Sequence, residues 1–223
     1  MTLSIPALPS TWPYALRGAA QALAARETAL PGLAGPWRLE APAGLALDGP
    51  GQPLGQAFGR GGVLRAGDVV LRPYRRGGLV RLVNGDVYAG PDRFQTEFQV
   101  HRALWAAGFP TVEPLGWASR AKLWGSQGVL LTRWAEATPW PRAWDAQVLP
   151  QLETLLEALC AWGLYAPDLN ATNILVDARG GVLALDWDRA AWTGRPGLMA
   201  RYRERLGRSL RKLGAPAEAL AAF

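Results

Sequence analysis

Three side chains have the types and spacing that phosphoryl transfer requires. Asp168 and Asn173 are five residues apart in the run Asp-Leu-Asn-Ala-Thr-Asn, and Asp186 follows after an apolar segment and a turn. A carboxylate at Asp168 would orient an acceptor hydroxyl, while Asn173 and Asp186 would hold Mg²⁺ against the phosphates of ATP. Asp188 is a further candidate metal contact, either in a second metal site or behind the first.

The same residue types also occur in ordinary turns, because Asp, Asn and Gly are favoured there. Here the loop is followed by an apolar strand at 174–176, a turn at 177–181 and a second apolar strand that ends at Asp186. The complete succession is much less expected by chance than any one of its parts. We therefore predict a kinase-type active site.

Composition is typical of a soluble globular protein. The 223 residues are 49% hydrophobic and 19% charged, which suffices for one good core or two small lobes. We find no apolar run of the ~20 residues that span a bilayer and no secretion signal at the start, so we expect a cytoplasmic protein. The single cysteine, Cys160, excludes an internal disulfide and is expected to be a packed thiol.

The charge is strongly basic, with a net value of +6 and a pI near 10.1. Such a charge favours a polyanionic or membrane-surface partner, although no nucleic-acid recognition motif is present and we expect no nucleic-acid partner. Six basic residues lie in a predicted helix over 201–212. They form either a solvated basic face, which is the commoner use, or a peripheral contact with the anionic cytoplasmic face of the inner membrane.

The first half of the chain changes from a mixed segment to strands. We predict a helix over 14–30 and an extension over 1–53 that packs on the first lobe. A glycine-rich turn contains Gly59, Gly61 and Gly62 and is followed by strands at 63–65 and 69–72. Such a turn lets backbone N–H groups approach phosphates, although a plain hairpin would use the same residues.

The remaining elements complete a bilobal order. Periodicity predicts a helix over 92–107 that contains Glu97, a strand over 128–132, a hinge over 133–141 and a long buried helix over 148–162. We predict an α+β fold with a small β-rich lobe over 54–134 and a compact, mainly helical lobe over 135–223.

Several runs together resemble the Kdo kinases of the lipopolysaccharide kinase family, which have a protein-kinase-like fold. The most specific run, Tyr-Arg-Arg-Gly-Gly, begins at Tyr74, and the similarity covers roughly residues 55–190. The resemblance implies that Asp168 is the catalytic base, that Asn173 and Asp186 hold Mg²⁺, and that Glu97 is the helix glutamate. It also implies that the glycines of the turn lie over the phosphates of ATP.

Three departures from the family pattern stand out. No lysine precedes Lys122, and Arg72 stands where the phosphate-binding cation is expected; a guanidinium can bridge phosphate and carboxylate, although Arg72 and Glu97 could also form a surface ion pair. Tyr-Ala-Pro precedes Asp168 in place of the usual histidine segment. Arg133 lies near the hinge, where the family tends to have an acidic residue.

The predicted activity is transfer of the γ-phosphoryl group of ATP, with Mg²⁺, to a hydroxyl of a small or lipid-linked sugar. The resemblance implies that this sugar is the Kdo residue of the lipopolysaccharide inner core. Arg75 and Arg76 are candidates for binding an anionic acceptor, or else belong to a solvated basic loop. Two alternatives remain, an aminoglycoside-type phosphotransferase and a non-catalytic pseudokinase.

Overall fold

A computed structural model describes residues 3–18, 21–55, 62–75, 86–140 and 147–223. The chain groups into two compact units, one of residues 19–102 and 113–134 and the other of residues 2–18, 103–112 and 135–223. The predicted α+β class is confirmed, because a large antiparallel sheet dominates the first unit and helices dominate the second.

A seven-stranded antiparallel sheet forms most of the first unit, with the strand order β1-β2-β6-β7-β5-β4-β3. One helix, α1 (Asp92–Ala106), begins in this unit and confirms the helix predicted there. The strands are β1 (Ala24–Leu30), β2 (Leu33–Ala41), β3 (Gln52–Pro53), β4 (Leu64–Ala66), β5 (Val69–Pro73), β6 (Pro114–Lys122) and β7 (Gly125–Arg133).

Both faces of the sheet are covered by apolar side chains. Successive residues of a strand point to opposite faces, so Leu131 of β7 joins one buried cluster and Leu130 joins another. The second cluster contains Phe94 and Phe98 from α1, both with 2% exposure or less. The burial of this helix face fixes α1, and with it the carboxylate of Glu97, against the sheet.

The predicted helix over 14–30 is wrong, because the end of this segment forms β1. The strand pairs with β2 from Ala24 opposite Ala41 to Leu30 opposite Leu33. Alanine has the highest intrinsic helix propensity, but such propensities are small and tertiary context overrides them. Here β2 buries alternate residues, including Trp37 and Leu39, and its backbone groups on one side are satisfied by β1.

The second unit combines helices with short strands. Strands β8, β10 and β11 form one small sheet, and β9 and β12 form another. The elements are β8 (Ala137–Pro139), α2 (Val148–Ala161), β9 (Leu164–Tyr165), β10 (Ile174–Asp177), β11 (Val182–Ala184), β12 (Ala191–Trp192), α3 (Leu198–Lys212) and α4 (Ala217–Ala221). The helices predicted at 148–162 and 201–212 are therefore confirmed as α2 and α3.

Residues 3–18 pack within the second unit, whereas the sequence places the whole of 1–53 with the β-rich lobe. The indole of Trp12 contacts the rings of Phe109 and Trp162, and its Nε1 donates a hydrogen bond to the Ala107 carbonyl at 2.6 Å. Aromatic anchoring thus decides where this segment lies. The segment boundaries at 53 and 134 stay a prediction.

None of the helices in the described parts of the chain has the length and apolar character needed to cross a bilayer.

Cys160 on α2 is half-buried. Its burial and, to a smaller extent, the charges of Glu153 and Glu157 raise the pKa of its thiol. A raised pKa disfavours the reactive thiolate, in line with the packed thiol expected from the sequence.

Substituting Gly128 tests the packing of α1 on the sheet. A Cβ at this position would overlap the Phe94 ring, so we expect Gly128→Ala to lower the free energy of unfolding by about 1–3 kcal/mol. Gly90→Ala is the matched control, because its added Cβ would meet no atom within 4 Å, and a change within about 0.5 kcal/mol is expected. Urea unfolding measures both; equal effects would contradict this account of the packing.

Candidate active site

The loop that carries Asp168 is shaped by its own asparagine. After β9 the chain turns, and residues Ala171–Asn173 form one 3₁₀ turn. The Asn170 side chain caps this turn by accepting a hydrogen bond from the Thr172 N–H at 2.9 Å, and its amide donates to the Asp168 carbonyl at 2.8 Å. Asn is favoured at such a cap because its short side chain reaches the otherwise unpaired N–H groups.

The structure brings the three principal predicted residues together. The Asn173 amide nitrogen donates to the Asp168 carbonyl at 2.8 Å and lies 3.4 Å from Oδ2 of Asp186. The hairpin of β10 and β11 produces this proximity, because Ile174 pairs with Ala184 and the flanking residues become neighbours. A hydrogen bond from the Leu185 N–H to the Asn173 carbonyl, at 2.8 Å, closes the arrangement.

Asp186 has a left-handed backbone with φ of 66°. Among non-glycine residues this region is sparsely populated, although Asp and Asn tolerate it better than most. The next residue holds the backbone in place: Trp187 is fully buried, and its Nε1 donates to the Thr111 hydroxyl at 3.1 Å, which donates to the Ala184 carbonyl at 2.7 Å. The buried indole therefore anchors the backbone next to Asp186.

The candidate metal-binding groups predicted for this site carry oxygen atoms, which Mg²⁺ prefers as ligands. In the described ranges no group of three or more His, Cys, Asp or Glu side chains is arranged to hold a metal. Magnesium is usually held by one or two carboxylates, with phosphate oxygens and water completing the shell. The Asp186 carboxylate and the Asn173 amide oxygen are groups of this kind, and the Asn173 nitrogen is the amide atom that faces Asp186, 3.4 Å from its Oδ2.

Helix α3 holds the start of the loop that carries Asp168 through a buried tyrosine. The Tyr202 hydroxyl donates to the Leu164 carbonyl at 2.8 Å and accepts from the Ala166 N–H at 2.9 Å. At the first residue of the 3₁₀ turn, the Ser209 hydroxyl accepts a hydrogen bond from the Ala171 N–H at 3.2 Å. Burial raises the pKa of Tyr202 above its ordinary value, so its hydroxyl stays protonated, and can donate, even in alkaline solution.

Two arginines that the sequence analysis did not assign hold the Asp168 carboxylate. Arg189 Nη2 lies 2.7 Å from both carboxylate oxygens, and its Nε lies 3.1 Å from Oδ2. Arg205 of α3 reaches Oδ1 at 3.2 Å. These partners are 21 and 37 residues away from Asp168 in sequence. The only sequence signal for them is the spacing of Tyr202, Arg205 and Ser209, which places all three on one face of the helix.

In the first unit, Arg72 and Glu97 form the predicted ion pair. Arg72 lies on β5 and Glu97 on α1, where the glutamate is only 2% exposed. The buried Glu97 carboxylate distinguishes this pair from the surface ion pair considered as an alternative. A carboxylate in the interior depends strongly on its cation. The Arg72 guanidinium also lies 5.3 Å from the centre of the Tyr74 ring.

The other predicted residues of the first unit are only partly described. Gly62 has a φ of 93°, which favours glycine, whereas Gly59, Gly61 and Arg76 lie outside the described residues. Arg75 lies 3.6 Å from the Asp86 carboxylate.

The arginine near the predicted hinge is held by a local contact, because the Arg133 side chain donates to the Glu113 carboxylate at 2.6 Å. The only histidine of the sequence, His101, lies on α1 and is 2% exposed.

The basic face of α3 is partly engaged by acidic neighbours. Arg203 pairs with Glu153 of α2, and Arg208 lies 3.7 Å from Glu204. Arg211 and Lys212 lie in the last turn, where positive charge also interacts favourably with the helix dipole.

Sequence comparison finds relatives named 3-deoxy-D-manno-octulosonic acid kinase, so the predicted resemblance is confirmed. One from Xylella fastidiosa (strain M12) is 32% identical over 143 residues, covering 56% of this chain and 54% of the relative. One from Xanthomonas campestris pv. campestris (strain B100) is 36% identical, covering 55% and 53%. The chain thus matches about half the length of these curated relatives.

A further relative of that name, from Xanthomonas oryzae pv. oryzae (strain PXO99A), is 32% identical, and the match covers 66% of this chain and 63% of the relative. No protein-family model matches the chain. Similar solved structures include WbdD with the kinase inhibitor LY294002, with a TM-score of 0.48, 17% identity and coverage of 78% of this chain and 45% of that chain. The ROP18 kinase domain with AMP-PNP and sucrose has a TM-score of 0.45, 13% identity and coverage of 85% and 67%.

Removing the Tyr202 hydroxyl tests the support of the catalytic loop. Tyr202→Phe would leave a buried carbonyl and a buried N–H without their partner, so we expect a loss of about 1–3 kcal/mol in unfolding free energy. Tyr165→Phe, on the neighbouring half-buried ring, is the control and should change stability by about 0.5 kcal/mol or less. Chemical unfolding of both variants decides; an unaffected Tyr202→Phe would refute the buried hydrogen bonds.

Proposed function

We propose that this chain is a phosphotransferase of protein-kinase-like fold that moves the γ-phosphoryl group of ATP to a sugar hydroxyl. The observation that carries the proposal is the Asn173 amide, which contacts both the Asp168 carbonyl and the Asp186 carboxylate. This geometry joins a base for the acceptor to an oxygen site for a cation, which are the two parts that phosphoryl transfer needs.

In the proposed reaction the acceptor hydroxyl hydrogen-bonds to the Asp168 carboxylate, which orients its oxygen towards the γ-phosphorus. The new O–P bond forms as the bond from the γ-phosphorus to the β–γ bridging oxygen breaks, ADP leaves, and Asp168 receives the hydroxyl proton. Asp186 and Asn173, with Asp188 as a further candidate, would hold Mg²⁺, which would neutralise charge on the phosphates. Positioning by the fixed loop supplies much of the rate.

We propose that Arg72, in the first unit, is the cation that binds the phosphates of ATP and that Glu97 holds its guanidinium in place. An arginine presents a planar fork that can serve carboxylate and phosphate together, unlike the point charge of a lysine. The glycine-rich turn at 59–62 is proposed to contribute backbone N–H groups, and Gly62 has the positive φ that such a turn requires.

The proposed acceptor is the Kdo residue of the lipopolysaccharide inner core. The names of the similar proteins support this choice, as does the net charge of +6, because a sugar acid on a phosphorylated lipid is polyanionic. Arg75 and Arg76 are proposed as additional contacts to that acceptor. We also propose a cytoplasmic location and peripheral contact of the exposed basic residues of α3 with an anionic membrane surface.

Replacing the proposed base tests the reaction. Asp168→Asn should lower kcat for transfer of labelled γ-phosphate to a Kdo-bearing lipid A precursor by about 100-fold or more, because the base is lost while the side-chain shape is kept. Glu157→Gln, an exposed acidic position on α2, is the control and should retain the wild-type rate. Transfer to an aminoglycoside alone would replace the proposed acceptor, and wild-type rates in Asp168→Asn would refute the proposed base.

Substituting Arg72 separates an ATP contact from a purely structural ion pair. A ligand that binds only the folded state raises Tm, so we expect Arg72→Met to lose most of the Tm increase caused by Mg-ATP and Arg72→Lys to keep part of it. Arg38→Met removes an exposed pair with Glu40 on β2 and should leave the increase unchanged. An unaltered increase in Arg72→Met would show that Arg72 only supports Glu97, and no increase in wild type would favour a pseudokinase.

A further inference from the structure

The Asp168 carboxylate is already paired where the proposed reaction needs it. Arg189 binds both of its oxygens in a fork through three contacts, and Arg205 adds a fourth contact, to Oδ1. A hydroxyl that donates its proton to Asp168 must approach the same two oxygens. Binding of the acceptor therefore has to shift at least one of the arginines.

The side chains of the two arginines differ in their exposure to solvent. Arg205 projects from α3, and its side chain is 31% exposed, whereas the Arg189 side chain is 60% exposed. The backbone at Arg189 is left-handed, with φ of 58°, and lies two residues after the buried Trp187. A hydrogen bond from the Ala190 N–H to the Trp187 carbonyl closes this turn. The fixed backbone presents an exposed guanidinium, so Arg189 is the partner that can turn towards a ligand.

The guanidinium fork of Arg189 favours an anionic ligand over a neutral one. Arg189 and Arg205 both face the Asp168 carboxylate. A guanidinium fork matches a carboxylate in geometry and in charge, and such bidentate pairs are among the stronger hydrogen bonds in proteins. An acceptor with its own carboxylate could take over the fork that Asp168 occupies.

We propose that Arg189 is the acceptor-recognition residue and that it binds the carboxylate of a sugar acid. The acceptor's carboxylate replaces that of Asp168 on the Arg189 fork, and Asp168 is thereby released to accept the hydroxyl proton while Arg205 keeps it in place. This inference rests on the proposed phosphotransferase function, and it identifies the acceptor by a charge next to the reacting hydroxyl. A neutral sugar would leave the Asp168–Arg189 pair closed.

The test compares a Kdo-bearing acceptor with its methylamide, which keeps every hydroxyl and loses the carboxylate charge. Wild type should prefer the acid by roughly 10- to 100-fold in kcat/KM, the range expected for a hydrogen-bonded charge. Arg189→Gln should abolish the preference mainly through KM for the acid. Arg205→Gln should keep the preference and lower kcat for both acceptors, and the exposed Arg195→Gln should behave like wild type.

A binding measurement without ATP separates this inference from the proposed function. If the acid raises Tm more than the amide in wild type but not in Arg189→Gln, recognition by Arg189 stands, even if no phosphoryl transfer is found. If transfer occurs and Arg189→Gln reduces the rates for both acceptors equally, Arg189 only positions Asp168 and the inference is overturned. Equal use of acid and amide by wild type overturns it as well.

Discussion

The candidate site depends on one buried hydroxyl, that of Tyr202, which binds the backbone on both sides of residue 165. The Leu164 carbonyl and the Ala166 N–H are taken out of solvent where the chain leaves β9, and buried backbone groups must be hydrogen-bonded. A side chain from α3, 36 residues further along, satisfies both. Without it, the loop that carries Asp168 would lack a fixed starting point.

The same helix extends this support along the loop. Arg205 reaches the Asp168 carboxylate and Ser209 accepts from the Ala171 N–H, so three residues on one face of α3 contact successive parts of the loop. The loop histidine expected from the family pattern is absent from this chain, and Tyr202 with α3 provides an anchor of a different kind. Pro167 adds local stiffness, because its ring restricts φ. The basic helix is thus part of the site as well as part of the surface.

Local features could be predicted from the sequence, whereas long-range pairing could not. The helices at Asp92–Ala106 and Val148–Ala161 follow from apolar periodicity, and the Asp168, Asn173 and Asp186 group follows from spacing within 19 residues. Strand β1 was missed because Ala24–Leu30 has the composition of a helix and becomes a strand only against β2. The partners of Asp168 were missed because no local pattern indicates that Arg189 and Arg205 converge on one carboxylate.

Hydrogen exchange at the Ala166 N–H, followed by NMR, tests the central claim that α3 holds the loop that carries Asp168. We predict that this amide exchanges as slowly as the amides of Leu206 and Leu210 in the buried part of α3, because releasing it requires the Tyr202 hydroxyl to leave its place. Fast exchange at Ala166 while Leu206 and Leu210 remain protected would show that the loop opens independently of the helix and would contradict the account.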